Sequence, residues 1–350
     1  NFIRDLWALL NSIITTIIAG TVLFLGTYSK KKKDLSVRDG FAIVALGWLF
    51  MAAFSALPFY FSSNLTYVDS FFEAMSGLTT TGASILGSST IQIEDISHGL
   101  LFWRSFTHFI GGMGIIVFSI AILPLLGIGG VQLFKAEVAG PTADKLTPRV
   151  KQTAKYLWGI YLGLILLETL ILYIEGRALG IKELELFDAL CHSFGTMATG
   201  GFSTYNNSLA AFDSPIVNWT IIVFMFLAAT NFTLHFVFVM KGSFEYFKNA
   251  EFKVYCKIIV AVIFFFFLNI YNSDIEGLST IYNKIEASVF YSISLITTTG
   301  FGTVDYSLWG NGSLIVVFIL LFLGGCAGST TGGIKLIRTV VVFKYLKSTI

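Results

Sequence analysis

The sequence has 350 residues, of which 55% are hydrophobic and only 13% are charged, and its formal net charge is +2. A soluble domain carries about 25% charged residues, so this composition excludes an ordinary soluble protein and indicates a membrane protein. The small net charge argues against nucleic acid as a partner. Cys191, Cys256 and Cys326 form no CxxC pair, so neither a disulfide framework nor a zinc site is indicated.

Apolar stretches that approach or exceed the roughly 20 residues of a membrane-spanning helix recur along the chain. They cover residues 6–29, 41–67, 100–134, 156–173, 214–240, 258–273 and 306–323. The basic cluster Lys30-Lys31-Lys32-Lys33 ends the first stretch. The sequence therefore predicts seven transmembrane spans, and no cleavable signal peptide is evident. Because it starts at Asn1, we expect it to be a fragment of a longer chain.

Three short, half-apolar segments lie between these spans, and each ends in a Thr-Gly motif. The motifs are Thr79-Thr80-Thr81-Gly82, Met197-Ala198-Thr199-Gly200-Gly201 and Thr297-Thr298-Thr299-Gly300. Without gaps, the segments align as 69–82, 187–200 and 287–300. A Thr-rich turn between two helices would explain one copy, but three copies at the same place indicate an internal repeat. A repeat of long, short and long apolar segments is typical of a pore loop.

We therefore predict an all-α membrane protein made of repeated helix–pore loop–helix units. The expected parts are an N-terminal transmembrane helix with a basic loop (1–34) and three pore repeats (35–150, 151–248 and 249–350). Four units would close a pseudo-fourfold pore, and the spacing extrapolates to a fourth glycine near residue 400, beyond the last residue. A ring of three units is the alternative, but a truncated fourfold pore is the simpler account.

The basic residues predict the orientation in the membrane, because short loops rich in Lys and Arg stay cytoplasmic. The connections 29–40, 127–155, 241–257 and 335–348 hold 18 of the 23 basic residues. The connections that carry the Thr-Gly motifs hold three: Arg177, Lys182 and Lys284. We expect the Thr-Gly loops to enter the membrane from the outside and the basic loops to lie in the cytoplasm.

An extended Thr-Gly segment presents backbone carbonyl groups that can replace the hydration shell of a cation. Glycine also adopts dihedral angles that other residues avoid, and a short helix before the turn points its negative end at the ion. The carbonyl groups predicted to bind K⁺ belong to Thr80, Thr81, Gly82, Ala83, Ala198, Thr199, Gly200, Gly201, Thr298, Thr299, Gly300 and Phe301.

The last predicted span is interrupted by a glycine-rich stretch, residues 324–333. It reads Gly324, Gly325, Cys326, Ala327, Gly328, Ser329, Thr330, Thr331, Gly332, Gly333. Each glycine disfavours a helix by about 1 kcal/mol relative to Ala, so we expect an intramembrane loop here, with helix resuming at residues 334–345. A phosphate-binding loop requires Lys directly after the last glycine, where Ile334 stands. Close helix packing through small residues is the remaining alternative.

Ionisable residues inside the spans are functional candidates by default. We favour a structural role for Arg104, paired with an acid or a carbonyl group near a pore helix, over direct contact with the ion. Glu168 and His235 are interpreted as packing or pairing residues. The run Gly111-Gly112-Met113-Gly114 indicates a close helix contact. No GxSxG, HExxH or Cys/His arrangement indicates an enzyme.

Together these motifs resemble the Trk/Ktr/HKT superfamily of potassium transporters, with most similarity to its TrkH-type membrane subunits. The resemblance rests on the three Thr-Gly motifs and on five further runs. Those runs are Asp39-Gly40-Phe41, Trp103-Arg104, Gly111-Gly112-Met113-Gly114, Lys145-Leu146-Thr147-Pro148-Arg149 and 324–330. It covers nearly the whole sequence, but the first helix and the fourth repeat of the family are absent.

The resemblance implies potassium uptake across the bacterial inner membrane, with Na⁺ as a possible second ion and no cofactor. It also implies a homodimer, a cytoplasmic nucleotide-binding ring of the TrkA/KtrA type, and a gating role for residues 324–333. A Gly rather than Ser at Gly82 is the family feature associated with preference for K⁺. The alternatives are a secondary transporter of an organic solute and a non-conducting subunit. The shared orientation of the three repeats argues against the transporter, which predicts inverted repeats.

Overall fold

We analysed a computed structural model of the chain, which describes residues 2–28, 37–62, 65–87, 91–114, 150–275 and 277–349. The predicted basic cluster at 30–33, the second half of the third predicted span and the run at 145–149 lie outside these residues. The described residues form thirteen α-helices, joined by turns and short 3₁₀ segments, and no β-strand. This confirms the predicted all-α class.

The first five helices are α1 (Phe2–Thr27), α2 (Val37–Ser55), α3 (Leu57–Ser62), α4 (Tyr67–Leu78) and α5 (His98–Gly112). The next four are α6 (Val150–Leu179), α7 (Leu186–Met197), α8 (Pro215–Ala228) and α9 (Phe232–Lys241). The last four are α10 (Ala250–Ile270), α11 (Ile281–Ile296), α12 (Asn311–Leu320) and α13 (Leu336–Thr349).

Four apolar segments of the described chain are long enough to cross a membrane. They are Ile3–Thr27, Ala42–Ser62, Lys155–Leu179 and Ala250–Ile270. Large apolar side chains on these segments face outward; Ile3 and Leu25, for example, are each 71% exposed. Exposed apolar surface on this scale suits lipid rather than water, and the chain is a multi-pass membrane protein.

The three short helices α4, α7 and α11 pack against these longer helices and are mostly buried, although the first turn of α4 exposes Val68 (75%). Thr66 and Thr280 begin α4 and α11 as N-caps, each accepting a backbone N–H from the first turn. Buried apolar residues such as Val217 and Tyr255 of the longer helices and Phe290 of α11 pack into one core that joins the second and third predicted repeats. This packing holds the short helices in fixed positions.

The sequence predicted one continuous span over residues 214–240, and that prediction is wrong. The structure has two helices, α8 and α9, bent by 95° at the break between Ala228 and Phe232. Asn231 caps the second helix, because its side chain accepts the backbone N–H of Thr233 at 2.8 Å. A capping residue in the middle of an apolar run starts a new helix there.

Candidate functional site: three Thr-Gly segments and a glycine-rich loop

Each Thr-Gly motif directly follows the C-terminus of a short buried helix. The helices α4, α7 and α11 end at the C-cap residues Thr79, Ala198 and Thr297. The next residue is a threonine in the left-handed region: Thr80 (φ 53°), Thr199 (φ 54°) and Thr298 (φ 56°). Two residues later comes a left-handed glycine: Gly82 (φ 74°), Gly201 (φ 75°) and Gly300 (φ 83°). The three segments therefore follow one backbone path.

The structure corrects the register of the second motif. The ungapped alignment paired Gly200 with Gly82 and Gly300, but the left-handed glycine of this segment is Gly201. Backbone hydrogen bonds agree: the N–H groups of residues 81, 200 and 299 donate at 2.9 Å to the carbonyl groups of residues 76, 195 and 294. The alignment was wrong by one residue because a Gly-Gly pair does not indicate which glycine takes the positive φ.

The threonines in the left-handed region are strained, since this conformation costs an L-residue roughly 1–2 kcal/mol. The same strain at the same place in three segments indicates that the backbone path itself is required. Each segment has this left-handed conformation at its threonine and again at its glycine, two residues later. The carbonyl groups of residues 80–82 and 298–300 accept no hydrogen bond from a described residue, so they are free to bind a ligand.

The three segments contact each other side by side. A Cβ atom on Gly82 would lie 1.8 Å from the carbonyl oxygen of Gly200, and one on Gly201 would lie 2.0 Å from that of Thr299. Around Gly300 no described residue lies within 4 Å of the same position. The segments therefore stand in the order first, second, third, with glycine needed at each of the two contacts.

Arg104 and His108 of α5 join the first segment to the second. The Arg104 guanidinium donates to Glu73 on α4 at 2.7 Å and to the carbonyl oxygen of Ser203 at 2.8 Å. It also lies 3.6 Å above the ring of Phe202. The His108 ring stacks on the Phe202 ring, with 4.0 Å between the ring centroids. It also bonds the Gly77 carbonyl at 2.8 Å and accepts the Phe202 N–H at 3.3 Å. These contacts bury Arg104 between α4 and the chain that follows the second motif.

Two carbonyl groups among the predicted K⁺ ligands already accept hydrogen bonds, and that of Ala198 does so from the Thr199 hydroxyl at 2.7 Å. The Phe301 carbonyl accepts a hydrogen bond from the Ser294 hydroxyl at 2.8 Å, so it is turned towards α11. The matching Phe202 carbonyl lies 3.0 Å from the position of a Cβ on Gly195 of α7 and has the same direction. In the second and third segments, the left-handed glycine is therefore the last residue whose carbonyl group is free.

The glycines after Arg104 fit against the tips of two short helices. A Cβ atom on Gly111 would lie 2.1 Å from the Leu78 carbonyl oxygen, and one on Gly112 would lie 2.7 Å from the Cα of Ala198. The close contact expected at this run is present, although its partners are the ends of α4 and α7 rather than the face of another long helix.

The glycine-rich loop lies directly against the third segment. The N–H of Gly332 donates to the Thr298 hydroxyl at 2.8 Å. The loop closes on itself where the Gly324 N–H donates to the Ile334 carbonyl at 3.0 Å and the Ile334 N–H to the Phe322 carbonyl at 2.9 Å. The expected interruption of the span is thus present, since α12 ends at Leu320 and α13 begins at Leu336.

Glu251, at the start of α10, joins this loop to the first turn of α13. One of its carboxylate oxygens accepts the N–H of Ala327 at 2.8 Å and that of Ile337 at 3.0 Å. The Lys335 ammonium donates to the Thr331 hydroxyl at 2.9 Å and to the carbonyl group of the same residue. These bonds tie the loop at Ala327 and Thr331 and tie the helix that follows it at Ile337.

Two further predicted candidates, Glu168 and His235, lie on other helices. Glu168 is buried on α6, and His235 bonds the Tyr246 hydroxyl at 2.8 Å and the Leu227 carbonyl at 3.0 Å. Sequence reasoning missed Glu73, His192, Tyr291 and Glu251 as polar residues of the site. The corrected repeat register would have found the first three, because each lies nine residues before its left-handed glycine. No sequence signal indicates Glu251.

Comparison with known proteins identifies relatives that match most of this chain. The Trk system potassium uptake protein TrkH of Escherichia coli (strain K12) is 40% identical over 324 residues, covering 90% of this chain and 63% of that protein. The protein TrkG of the same strain is 35% identical over 326 residues, covering 91% of this chain and 64% of that protein. The chain therefore spans less than two thirds of the length of these relatives.

A solved structure shares the fold. The crystal structure of the potassium transporter TrkH from Vibrio parahaemolyticus matches 97% of this chain and 68% of that chain, with a TM-score of 0.78 and 35% sequence identity. The family model described as "TrkH: Cation transport protein" matches residues 7–350. The chain belongs to the TrkH family of cation transport proteins.

Proposed function

We propose that this chain forms part of a potassium uptake pathway, in which the three Thr-Gly segments line a selectivity filter. The observation that carries the proposal is the shared, strained backbone of three adjacent segments at the C-terminal ends of three short helices. Carbonyl groups turned to one side replace the water of a K⁺ ion. The helix ends add their partial negative charge to the same place.

The proposed ligands are the carbonyl groups of residues 80–82, 199–201 and 298–300. The contact order of the segments supports a ring in which the third segment has a further neighbour on the side of Gly300. We propose a fourth repeat of the longer protein as that neighbour. Selectivity for K⁺ over Na⁺ depends on all four segments, and Na⁺ remains a second candidate ion.

We further propose that the glycine-rich loop obstructs the pathway below the filter. The hydrogen bond from Gly332 to Thr298 supports this position, because it joins the loop to a filter residue. Displacement of the loop would open the pathway, and the ties to Glu251 and Lys335 would hold it closed.

The remaining proposals follow from the charge distribution and from the family. The parts 1–34, 35–150, 151–248 and 249–350 act as an N-terminal helix and three pore repeats in the inner membrane of a bacterium. The filter segments face outward and the basic loops face the cytoplasm. A homodimer and a cytoplasmic nucleotide-binding ring of the TrkA/KtrA type are the proposed assembly.

Uptake of ⁸⁶Rb⁺ and ²²Na⁺ into liposomes that hold the full-length parent protein tests the proposal. Rb⁺ uptake that K⁺ competes away and Na⁺ does not is the expected result. Gly201→Ala should abolish most of it, since the added Cβ collides with the Thr299 carbonyl. Gly163→Ala on α6, with no neighbour within 4 Å, is the control that should retain it. Folded parent protein with no uptake of either ion would overturn the proposal.

A further inference from the structure

One position of each short helix carries a buried polar residue of a different kind. The residues are Glu73 on α4, His192 on α7 and Tyr291 on α11, and each lies nine residues before its left-handed glycine. At most 3% of each residue is exposed. None of the three side chains is placed to bind the ion itself, because each one bonds residues that follow the left-handed glycine.

In the first two segments the buried helix residue accepts a hydrogen bond from a serine hydroxyl group, which in turn accepts a backbone N–H. The Ser84 hydroxyl donates to Glu73 at 2.8 Å and accepts the N–H of Leu86 at 3.1 Å. The Ser203 hydroxyl donates to Nε2 of His192 at 2.9 Å and accepts the N–H of Tyr205 at 3.0 Å. Both serines lie two residues after the left-handed glycine, and both accepted N–H groups lie four residues after it.

The third segment has Gly302 at the position of these serines, so it lacks the hydroxyl group. The longer side chain of Tyr291 supplies one instead. Its hydroxyl accepts the N–H of Thr303 at 3.1 Å and that of Val304 at 3.2 Å, and it donates to the Val304 carbonyl. A Cβ on Gly302 would lie 3.1 Å from this hydroxyl, so a serine there would crowd Tyr291.

A hydroxyl group therefore receives the N–H of the fourth residue after the glycine in all three segments, although three different helix residues position it. We propose that Glu73, His192 and Tyr291 are positioning residues that set the ion selectivity of the filter, an inference that rests on the proposed function. Each filter segment is fixed at its start by backbone bonds to its short helix. The hydrogen bonds of the hydroxyl group fix its end. A segment that is fixed at both ends holds its carbonyl groups at a constant distance from the ion.

Tyr291→Phe removes the hydroxyl group and little else. In full-length protein in liposomes, we expect the ratio of ⁸⁶Rb⁺ to ²²Na⁺ uptake to fall about two- to tenfold, as for the loss of one buried hydrogen-bonding group, while Rb⁺ uptake persists. Tyr255→Phe is the matched control, because its buried hydroxyl meets only the Phe226 carbonyl, at 3.4 Å, among described residues. The control should keep the parent ratio.

A double variant that copies the His–Ser pair of the second segment into the third gives a stricter test. Tyr291→His combined with Gly302→Ser recreates the arrangement of the second segment, so the double variant should recover selectivity that each single variant loses. Ser203→Ala supplies an independent variant in the second segment, with Ser193→Ala as its control, since the Ser193 hydroxyl bonds only within α7, to the Ala189 carbonyl, at 2.7 Å.

The outcomes separate the two proposals. A parent protein without cation uptake would overturn the filter itself. A selective parent whose ratio is unchanged in Tyr291→Phe and in Ser203→Ala would overturn the positioning role alone. Equal losses in the two variants and in their controls would also overturn it, because they would indicate a general effect of core substitution.

Discussion

The predicted spans that follow the second and third Thr-Gly segments are each interrupted, and the two interruptions differ in structure. The break between α8 and α9 needs three residues, Ala229 to Asn231, and contains no glycine. The break between α12 and α13 runs from Leu321 to Lys335 and contains five glycines. The first break is a sharp bend, whereas the second is a loop that folds back on itself.

The two breaks satisfy each other's backbone groups. The carbonyl group of Ala229 accepts the N–H of Cys326 at 3.0 Å, and that of Ala228 accepts the Thr330 hydroxyl at 3.2 Å. In the other direction, the N–H of Phe232 donates to the Gly328 carbonyl at 3.0 Å. Non-helical backbone at membrane depth is tolerated only where such partners exist. The comparison teaches that the short break is stable because the long loop supplies its partners.

The long loop depends more on other elements than the short break does. Asn231 caps the short break from inside its own segment, but the loop is tied by Glu251 of α10 and by Thr298 of the third Thr-Gly segment. Substitutions that remove these ties should therefore affect the loop first, and the predictions below run from the largest expected effect to the smallest.

Glu251→Ala should have the largest effect, because it leaves the partly buried N–H groups of Ala327 and Ile337 without their acceptor. We expect a loss of roughly 2–6 kcal/mol from the closed loop, at about 1–3 kcal/mol for each unsatisfied group. The loop should then open and raise Rb⁺ uptake into liposomes. Thermal unfolding of the purified protein measures the stability change.

Two variants control for the loss of charge at Glu251. Glu251→Gln keeps an acceptor oxygen and should retain most of the closed state. Glu245→Ala removes an acid that forms a surface ion pair with Lys248 and should change little. If Glu251→Ala gave the same melting temperature and uptake as the parent, the ties to the loop would have no role in closing it.

Gly324→Ala should have the next largest effect. A Cβ there would lie 2.0 Å from the Gly332 carbonyl oxygen, so the two ends of the loop must separate. Overpacking of this kind costs about 1–3 kcal/mol. Gly332→Ala is the matched control in the same loop, since its Cβ meets only the Thr298 hydroxyl at 3.7 Å. Rb⁺ uptake and melting temperature should change in the first variant and not in the second; equal behaviour would contradict the crowding at Gly324.

The difference between the two breaks also explains what the sequence could predict. Five glycines in ten residues disfavour a helix strongly, so the loop between α12 and α13 was predicted at nearly its observed place. One capping residue within an apolar run gives a weak local signal, so the bend at Asn231 was missed. Its stability comes from partners almost 100 residues further along the chain, such as Cys326.

The three Thr-Gly segments also include features that the sequence predicted and features that it did not. The Thr-Gly motifs and the short helices before them were predicted from composition and repetition, because local sequence determines where a short helix ends. The register of the second motif was not, since two adjacent glycines are equivalent until tertiary packing places Gly201 against Thr299. The roles of Glu73, His192 and Tyr291 were missed for a related reason: three unlike side chains show no repeat until the register is known.

Asn231→Ala should have the smallest effect, and it tests whether the short break is independent of the loop. Loss of an N-cap costs about 1 kcal/mol, which should lower the melting temperature slightly. Asn249→Ala is the control, because Asn249 caps α10 in the same way, accepting the Phe252 N–H at 2.9 Å. If the two breaks act as one unit, Asn231→Ala should also raise Rb⁺ uptake, whereas Asn249→Ala should not. Equal uptake in the two variants would mean that the bend is a passive support and that the loop alone controls the pathway.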